Sequence, residues 1–239
     1  MEGYLNFSLC YDEVLGGRFF DFLEKKFKEV QKKYHIKNIE EILDLGCGTG
    51  LFLKNFYGKN IKIFGIDQAF TMLYEGKKIK NFNGICFKFP PIPVKGKFSL
   101  IVSFYDTLNH LLNSQQLKET FFEVKRLLKK EGFFLFDTNN LNAFKKIMGS
   151  PEPFIYESTG GFIQIHTQYF KDLMISKAEI SGKWMGINIR EEIYERYWSQ
   201  KEIKNYLKEA GFNFIKKEEW VLGKIYGRKP IKDFWIAKI

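Results

Sequence analysis

The chain is short of cysteine and histidine and has no long uncharged apolar run. Its three cysteines, Cys10, Cys47 and Cys86, lie far apart, and an odd number closes no complete disulfide framework. No CxxC pair is present, and His35, His110 and His166 show no HExxH-type spacing, so no metal site is expected. A reducing, cytoplasmic setting fits that cysteine usage. No uncharged apolar stretch approaches the ~20 residues that span a bilayer, so no membrane segment is expected. The opening MEGYLNFSLCYDEVLGG carries an early glutamate and no basic stretch, unlike a signal peptide. Internal repeats and low-complexity tracts are absent as well.

What is present describes a folded chain. Of 239 residues, 45% are hydrophobic, enough apolar surface to offset the entropy of ordering the backbone. The 26 phenylalanines predict a Phe-rich core. The 38 Lys and Arg against 28 Asp and Glu leave a net charge of +10, which admits an anionic partner without proving one. The lysines between Lys25 and Lys37 are interspersed with Glu24 and Glu29, the pattern of a solvated helix face more than of a phosphate-binding strip. Nucleic acid is therefore possible but not favoured.

Gly16-Gly17 open a segment in which Phe19, Leu23, Phe27 and Val30 recur at helical spacing. Strands and helices then alternate. Strands are expected at Ile39–Leu45, Ile61–Asp67, Ile85–Phe89, Leu100–Phe104 and Phe133–Thr138. Helices are expected at Thr49–Tyr57, Ala69–Ile79 and Ser114–Lys130, the last stopped by Gly132. Apolar strands alternating with helices imply a parallel sheet covered on both faces. The pattern changes after Pro151. Phe162–Phe170, Leu173–Lys183 and Ile187–Arg196 read as antiparallel strands joined at Lys171-Asp172 and around Gly182–Gly186. Ser199 and Glu202 form a capping box for a helix ending at Gly211, and Phe212–Val221 and Asp233–Ile239 are the last strands. The expected layout is a doubly wound core, 1–151 and 197–239, with an antiparallel insertion at 152–196.

The informative segment is Glu41-Ile42-Leu43-Asp44-Leu45-Gly46-Cys47-Gly48-Thr49-Gly50. An acid two positions before GxGxG sits between an apolar strand and a helix. The glycines permit a sharp turn and let a ligand approach bare backbone. The start of the following helix is expected to add free N–H groups there. Asp67, about 20 residues on and at the tip of the next strand, is placed to accept both hydroxyls of a ribose. A nucleoside-bearing cofactor follows, and GxGxG in place of GxGxxG turns the reading away from dinucleotides.

This combination resembles the class I S-adenosylmethionine-dependent methyltransferases. ILDLGCGTG looks like their first motif, and Ile63–Asp67 followed by Thr71-Met72-Leu73 resembles their second. SLIVSFYDTLNHLL resembles their fourth strand and its exit, LKKEGFFLFD their turn into the fifth strand, and Lys208–Phe212 their turn before the sixth. The resemblance covers about 36–140 and 199–239, and is closest to the broad bacterial and archaeal group acting on small molecules, several of which carry an antiparallel insertion after the fifth strand. It implies a Rossmann-like seven-stranded sheet with its last strand antiparallel, S-adenosyl-L-methionine as cofactor, and transfer of a methyl group to a small-molecule acceptor by in-line displacement. An RNA or protein acceptor, or a catalytically silent cofactor-binding module, are the alternatives. The oligomeric state is left open.

Residue by residue, the resemblance implies that Gly46, Cys47 and Gly48 line the methionine part through backbone, that Asp44 organises that loop, and that Asp67 holds the ribose. Gln68 and Met72 would flank the adenine, and Phe104 would face the methionine. Two departures stand out: Phe87-Lys88-Phe89-Pro90-Pro91 replaces the acid that often follows the third strand, and Phe98-Ser99 replaces the usual FD. Asp106 and His110, at the exit of the fourth strand, are the candidate proton acceptors, because histidine ordinarily titrates near neutrality. Tyr11 and Tyr4 are candidates to close over the cofactor. The insertion is a candidate substrate cover, and the positive charge weakly favours an anionic acceptor.

Overall fold

The computed structural model describes residues 4–56, 58–76, 82–222 and 229–239. Two sheets organise it. The first has seven strands: β1 (Glu41–Leu45), β2 (Lys62–Asp67), β3 (Phe82–Cys86), β4 (Phe98–Ser103), β5 (Leu128–Asn139), β10 (Phe214–Trp220) and β11 (Lys232–Lys238), in the order β10-β11-β5-β4-β1-β2-β3. All neighbours pair in parallel except β11, which runs antiparallel to both β5 and β10. The order reverses between β1 and β4, which opens a crevice beyond the carboxyl ends of β1, β2 and β4. The second sheet is antiparallel, in the order β6 (Phe154–Ser158), β7 (Gly161–Phe170), β8 (Ile175–Trp184), β9 (Ile187–Arg196).

Alternation along the strands builds two cores. Leu43, Ile101, Phe134, Phe136 and Trp235 point to one face, under α3 (Ser114–Leu127) and α5 (Gln200–Glu209). Ile42, Leu100, Val102, Leu135 and Phe234 point to the other, under α1 (Gly17–Lys33) and a tight helical turn at Phe52–Phe56. A third cluster joins Phe7, Cys10 and Val14 to Ile163, Ile165, Ile180, Trp184 and Ile189. The N-terminal segment is therefore part of the core of the antiparallel sheet. Caps follow the sequence: Asn113 accepts from the Gln116 amide, and Ser199 and Glu202 form the reciprocal capping box.

Several expectations need correction. The helix expected at Thr49–Tyr57 is described as the turn Phe52–Phe56, its start delayed by the left-handed Gly50 (φ +73°); Tyr57 lies outside the described residues. The helix expected to Ile79 is described as α2 (Phe70–Gly76), and 77–79 also lie outside. Helix α3 ends at Leu127, where Leu128 enters β5; residues between Leu128 and Phe133 bulge, with Phe98 pairing Leu128 and Leu100 pairing Phe133. Strand β3 lies earlier than expected. Gly182 is inside β8 and not in a turn: a side chain there would meet the Phe162 carbonyl at 2.1 Å, so only glycine permits that pairing. Strand β6 and α4 (Leu141–Lys146) had no clear signal. Lys26, expected on the solvated face of α1, turns inward to Glu218 of β10 at 2.7 Å. Burial alone would raise the Glu218 carboxyl, but its bonds to Lys26, Lys33 and Tyr34 bring it down to about 2.

Candidate active site

The crevice holds a cavity of about 340 Å³, within the range that small ligands occupy. Its walls include Gly46, Cys47 and Gly48 of the glycine loop, Asp67 and Gln68 at the tip of β2, Met72 of α2, and His110. Tyr4 and Tyr11 of the N-terminal segment close one side, and Thr49, Lys88, Phe89, Tyr105 and Thr107 complete the central part.

The glycine loop is shaped by its own hydrogen bonds. The amides of Gly46 and Cys47 both donate to the Ile66 carbonyl, at 2.7 and 3.0 Å, and the Gly48 amide donates to Asp67 Oδ2 at 2.8 Å. The amides are thus engaged within the fold, and the positive helix start expected there is replaced by the short turn at Phe52–Phe56. Gly46 (φ +72°) is in close contact: a Cβ would stand 2.3 Å from the Thr107 side chain. Gly48 (φ +54°) faces open space, so its bare backbone borders the cavity.

Asp67 accepts from the Gly48 and Ala69 amides, one on each oxygen, both at 2.8 Å. Burial raises its carboxyl, and those amides pull it only partly back. Each oxygen retains a lone pair that can accept a ligand hydroxyl. Asp44 lies beneath the loop, 3% exposed and off the cavity wall. Burial, then the neighbouring Asp67, holds its carboxyl well above the usual range.

At the exit of β4 the backbone makes two consecutive left-handed residues, Tyr105 (φ +57°) and Asp106 (φ +54°). This reverses the expected orientation. Phe104 is buried between Phe52 and Phe234, at ring-centroid distances of 4.7 and 5.5 Å, and Tyr105 lines the cavity in its place. Asp106 also points off the cavity wall, into a cluster the sequence did not announce. Asn139 Nδ2 donates to both Asp106 and Glu195, and Lys232 Nζ lies 3.2 Å from Asp106 and 2.7 Å from Asp137. Burial would lower the Lys232 ammonium, but Asp106 and Asp137 raise it overall. Burial, then Asp106, pushes the Glu195 carboxyl up to about 8. Asp137 Oδ1 is buried with no hydrogen-bond partner.

His110 is oriented by a backbone carbonyl. Its Nδ1 lies 3.0 Å from the Tyr194 oxygen, which can only accept, so Nδ1 carries the proton. Nε2 then presents its lone pair, with the Tyr4 hydroxyl 3.4 Å away. The Tyr4 phenol is raised by burial and then by Asp106, Glu195, Asp67 and Glu191. Thr49 Oγ1 bonds the Asp12 carboxylate at 2.8 Å, and the Tyr105 hydroxyl donates to the Gly16 carbonyl at 3.3 Å, tying the N-terminal segment to the crevice. Among the described residues no helix is long and apolar enough to cross a membrane.

Comparisons with known proteins agree with this architecture. A family model described as a methyltransferase domain matches residues 15–217. GWCH70_2453 of Geobacillus sp. (strain WCH70), which carries a methyltransferase name, is 25% identical over 142 residues; the match spans 57% of this chain and 58% of that protein. The crystal structure of an S-adenosylmethionine-dependent methyltransferase from Clostridium acetobutylicum ATCC 824 is 24% identical, covers 98% of both chains and superposes with a TM-score of 0.78. CalS10 of Micromonospora echinaspora, described as an amino pentose methyltransferase and solved with S-adenosylmethionine bound, is 14% identical over 90% of both chains, with a TM-score of 0.68. The chain belongs to the methyltransferase-domain family and has the fold of the class I S-adenosylmethionine-dependent enzymes.

Proposed function

We propose that this methyltransferase holds S-adenosylmethionine in the cavity and methylates a small-molecule acceptor that carries an amino group. The observation that carries the reading is His110: a base with a fixed tautomer and its Nε2 lone pair on the cavity wall. The cavity fits the cofactor on three counts. Asp67 keeps free lone pairs for a ribose, Gly48 leaves room along bare backbone, and Gln68, Met72 and Phe89 offer a mostly apolar wall for a base. Asp44 supports the loop from below and Phe104 packs behind it, so both act through their neighbours.

S-adenosylmethionine supplies a methyl group already activated on a sulfonium. The protein therefore has to align the acceptor and, for an amine, remove one proton. Alignment can supply about 7–11 kcal/mol in favourable cases. An acceptor ammonium takes over the long 3.4 Å contact that the Tyr4 hydroxyl makes with His110 Nε2 and gives its proton there, which frees the nitrogen lone pair to attack. Tyr4, against Nε2, closes the site and limits the directions from which the acceptor approaches.

The aromatic part of the wall selects for an amine. Asp106, Asp137 and Glu195 surround Lys232 off the cavity wall, and burial holds the Asp137 and Glu195 carboxyls toward their neutral forms, so the choice of acceptor falls to the wall itself. Tyr4, Tyr11 and Tyr105 add aromatic faces, which attract ammonium groups. The fold likeness to an enzyme described as acting on an amino pentose is consistent with this. Whether the antiparallel sheet, 154–196, acts as a substrate cover is part of the same proposal; its strand β9 supplies Glu195 and the carbonyl that orients His110.

Two measurements test the reading. Calorimetry with S-adenosylhomocysteine should show binding that weakens about 10- to 100-fold in Asp67→Ala, since two charge-assisted hydrogen bonds are lost. Label transfer from methyl-labelled S-adenosylmethionine should occur to members of a panel of amino sugars and small primary amines, and not to their hydroxyl analogues. No heat with the wild type sinks the cofactor assignment. Label on the hydroxyl analogues alone sinks the amine.

A further inference from the structure

Strand β9 touches both sides of the Tyr4–His110 contact. Glu191, on its inward face, is 8% exposed and meets three successive backbone amides of the N-terminal segment. Its Oε2 accepts from Leu5 N at 3.0 Å, and its Oε1 accepts from Asn6 N and from Phe7 N, the latter at 2.9 Å. Three residues along, the Tyr194 carbonyl holds His110 Nδ1. Further on, the Arg196 carbonyl accepts from Asn109 Nδ2 at 2.8 Å, Arg196 Nη1 donates to the Leu112 carbonyl at 3.1 Å, and Trp198 Nε1 donates to the Leu108 carbonyl at 3.2 Å. The turn that carries His110 therefore hangs from the end of β9.

A carboxylate on the buried face of an amphipathic strand needs hydrogen bonds to offset its loss of water. Three amides in a row provide them, and in return they fix the backbone next to Tyr4. The Tyr4 carbonyl is held on its other side by Thr71 Oγ1 at 3.0 Å. Apolar packing of Phe7, Cys10 and Val14 on the sheet places the segment in general, but packing is not directional. The amide bonds set its register.

We infer that Glu191 is a positioning residue: it pins the Leu5–Phe7 backbone so that Tyr4 stands against His110, while the Tyr194 carbonyl of the same strand sets the imidazole. Strand β9 is then the common reference for both partners. A small movement of the antiparallel sheet carries tyrosine and histidine together and preserves their contact. This goes beyond the proposed function and does not depend on which acceptor is used.

The test reads the imidazole directly. The chain has three histidines, so the His110 ring signal can be assigned in a proton NMR spectrum by its loss in His110→Asn. In Glu191→Ala the His110 signal should move, and the Leu5, Asn6 and Phe7 amides should exchange with solvent about 10- to 100-fold faster. In a Tyr4→Leu background, adding Glu191→Ala should leave the His110 signal where Tyr4→Leu put it. Glu191→Gln, which keeps the Oε1 bonds and loses the one to Leu5, should fall between wild type and alanine. It also carries the comparison if the alanine variant does not fold. A folded Glu191 variant whose His110 signal stays at the wild-type position, or shifts that simply add in the double variant, overturns the inference. Calorimetry of the same proteins with S-adenosylhomocysteine separates the two readings. A wild type that fails to bind removes the cofactor assignment and leaves the NMR comparison intact.

Discussion

Gly46 and Gly48 sit two residues apart, share a left-handed backbone and serve different ends. A methyl on Gly46 would collide with Thr107 and carry the positive-φ strain as well. Gly46→Ala should lower stability by about 2–4 kcal/mol, read as a shift in the urea midpoint. A methyl on Gly48 meets no protein atom but projects into the space bordering the cavity. Gly48→Ala should cost only about 1–2 kcal/mol of stability and still weaken S-adenosylhomocysteine binding more than about tenfold. Equal effects of both substitutions on stability and binding would contradict this division. The sequence announces these glycines, and Asp67, because turn chemistry is local. It does not announce which way a side chain leaves a strand end. Phe104 and Asp106 were expected on the wall, but two consecutive left-handed residues exchanged Phe104 for Tyr105 and sent Asp106 to Lys232.

Strand β9 shows what periodicity reveals and what it hides. Ile187, Ile189, Glu191, Ile193 and Glu195 share one face, so two acids fall on the apolar side of an amphipathic strand. That irregularity was readable as a sign of buried carboxylates. Their partners were not, because Asn139, Lys232 and the Leu5–Phe7 amides come from distant parts of the chain. The glycine turn after β1 was legible, but the helix after it was too short to form more than one turn. Glu195 also makes β9 sensitive to pH. Its carboxyl ordinarily titrates near 4.5 and is pushed up to about 8 in the folded protein, facing Asp106, Asp137, Lys232 and Asn139. Between those values the folded state holds a proton that the unfolded chain has released, so stability should fall as pH rises through that window. Glu195→Gln removes the titration. Its melting temperature should change less than the wild type's between pH 5 and 8, and should exceed it near pH 8. Parallel melting curves for the two proteins across that range would exclude Glu195 as the source.

At the scale of the whole molecule, the cavity walls come from the glycine loop, the exit of β4, α2 and the N-terminal segment, and that segment is packed into the antiparallel sheet. The two sheets are thus joined through the site itself, by Glu191 to the amides of 5–7 and by Tyr194 and Arg196 to the His110 turn. A ligand in the cavity should therefore stabilise both sheets at once. At a concentration 100 times its Kd, S-adenosylhomocysteine contributes about 2.7 kcal/mol to the bound state. For a chain of this size each kcal/mol raises the melting temperature by about 2–4 °C. A single calorimetric transition should move upward by about 5–11 °C, with no low-temperature shoulder left behind. Two transitions, of which only one responds to the ligand, would mean that the antiparallel sheet unfolds on its own. In that case β9 could not serve as a fixed reference for the site. The same shift measured in Glu191→Ala should be smaller, because the segment that closes the cavity then loses its three backbone bonds to the sheet and keeps only packing and the bonds from Asn6 to the Asn188 carbonyl and from Tyr156 to Glu13.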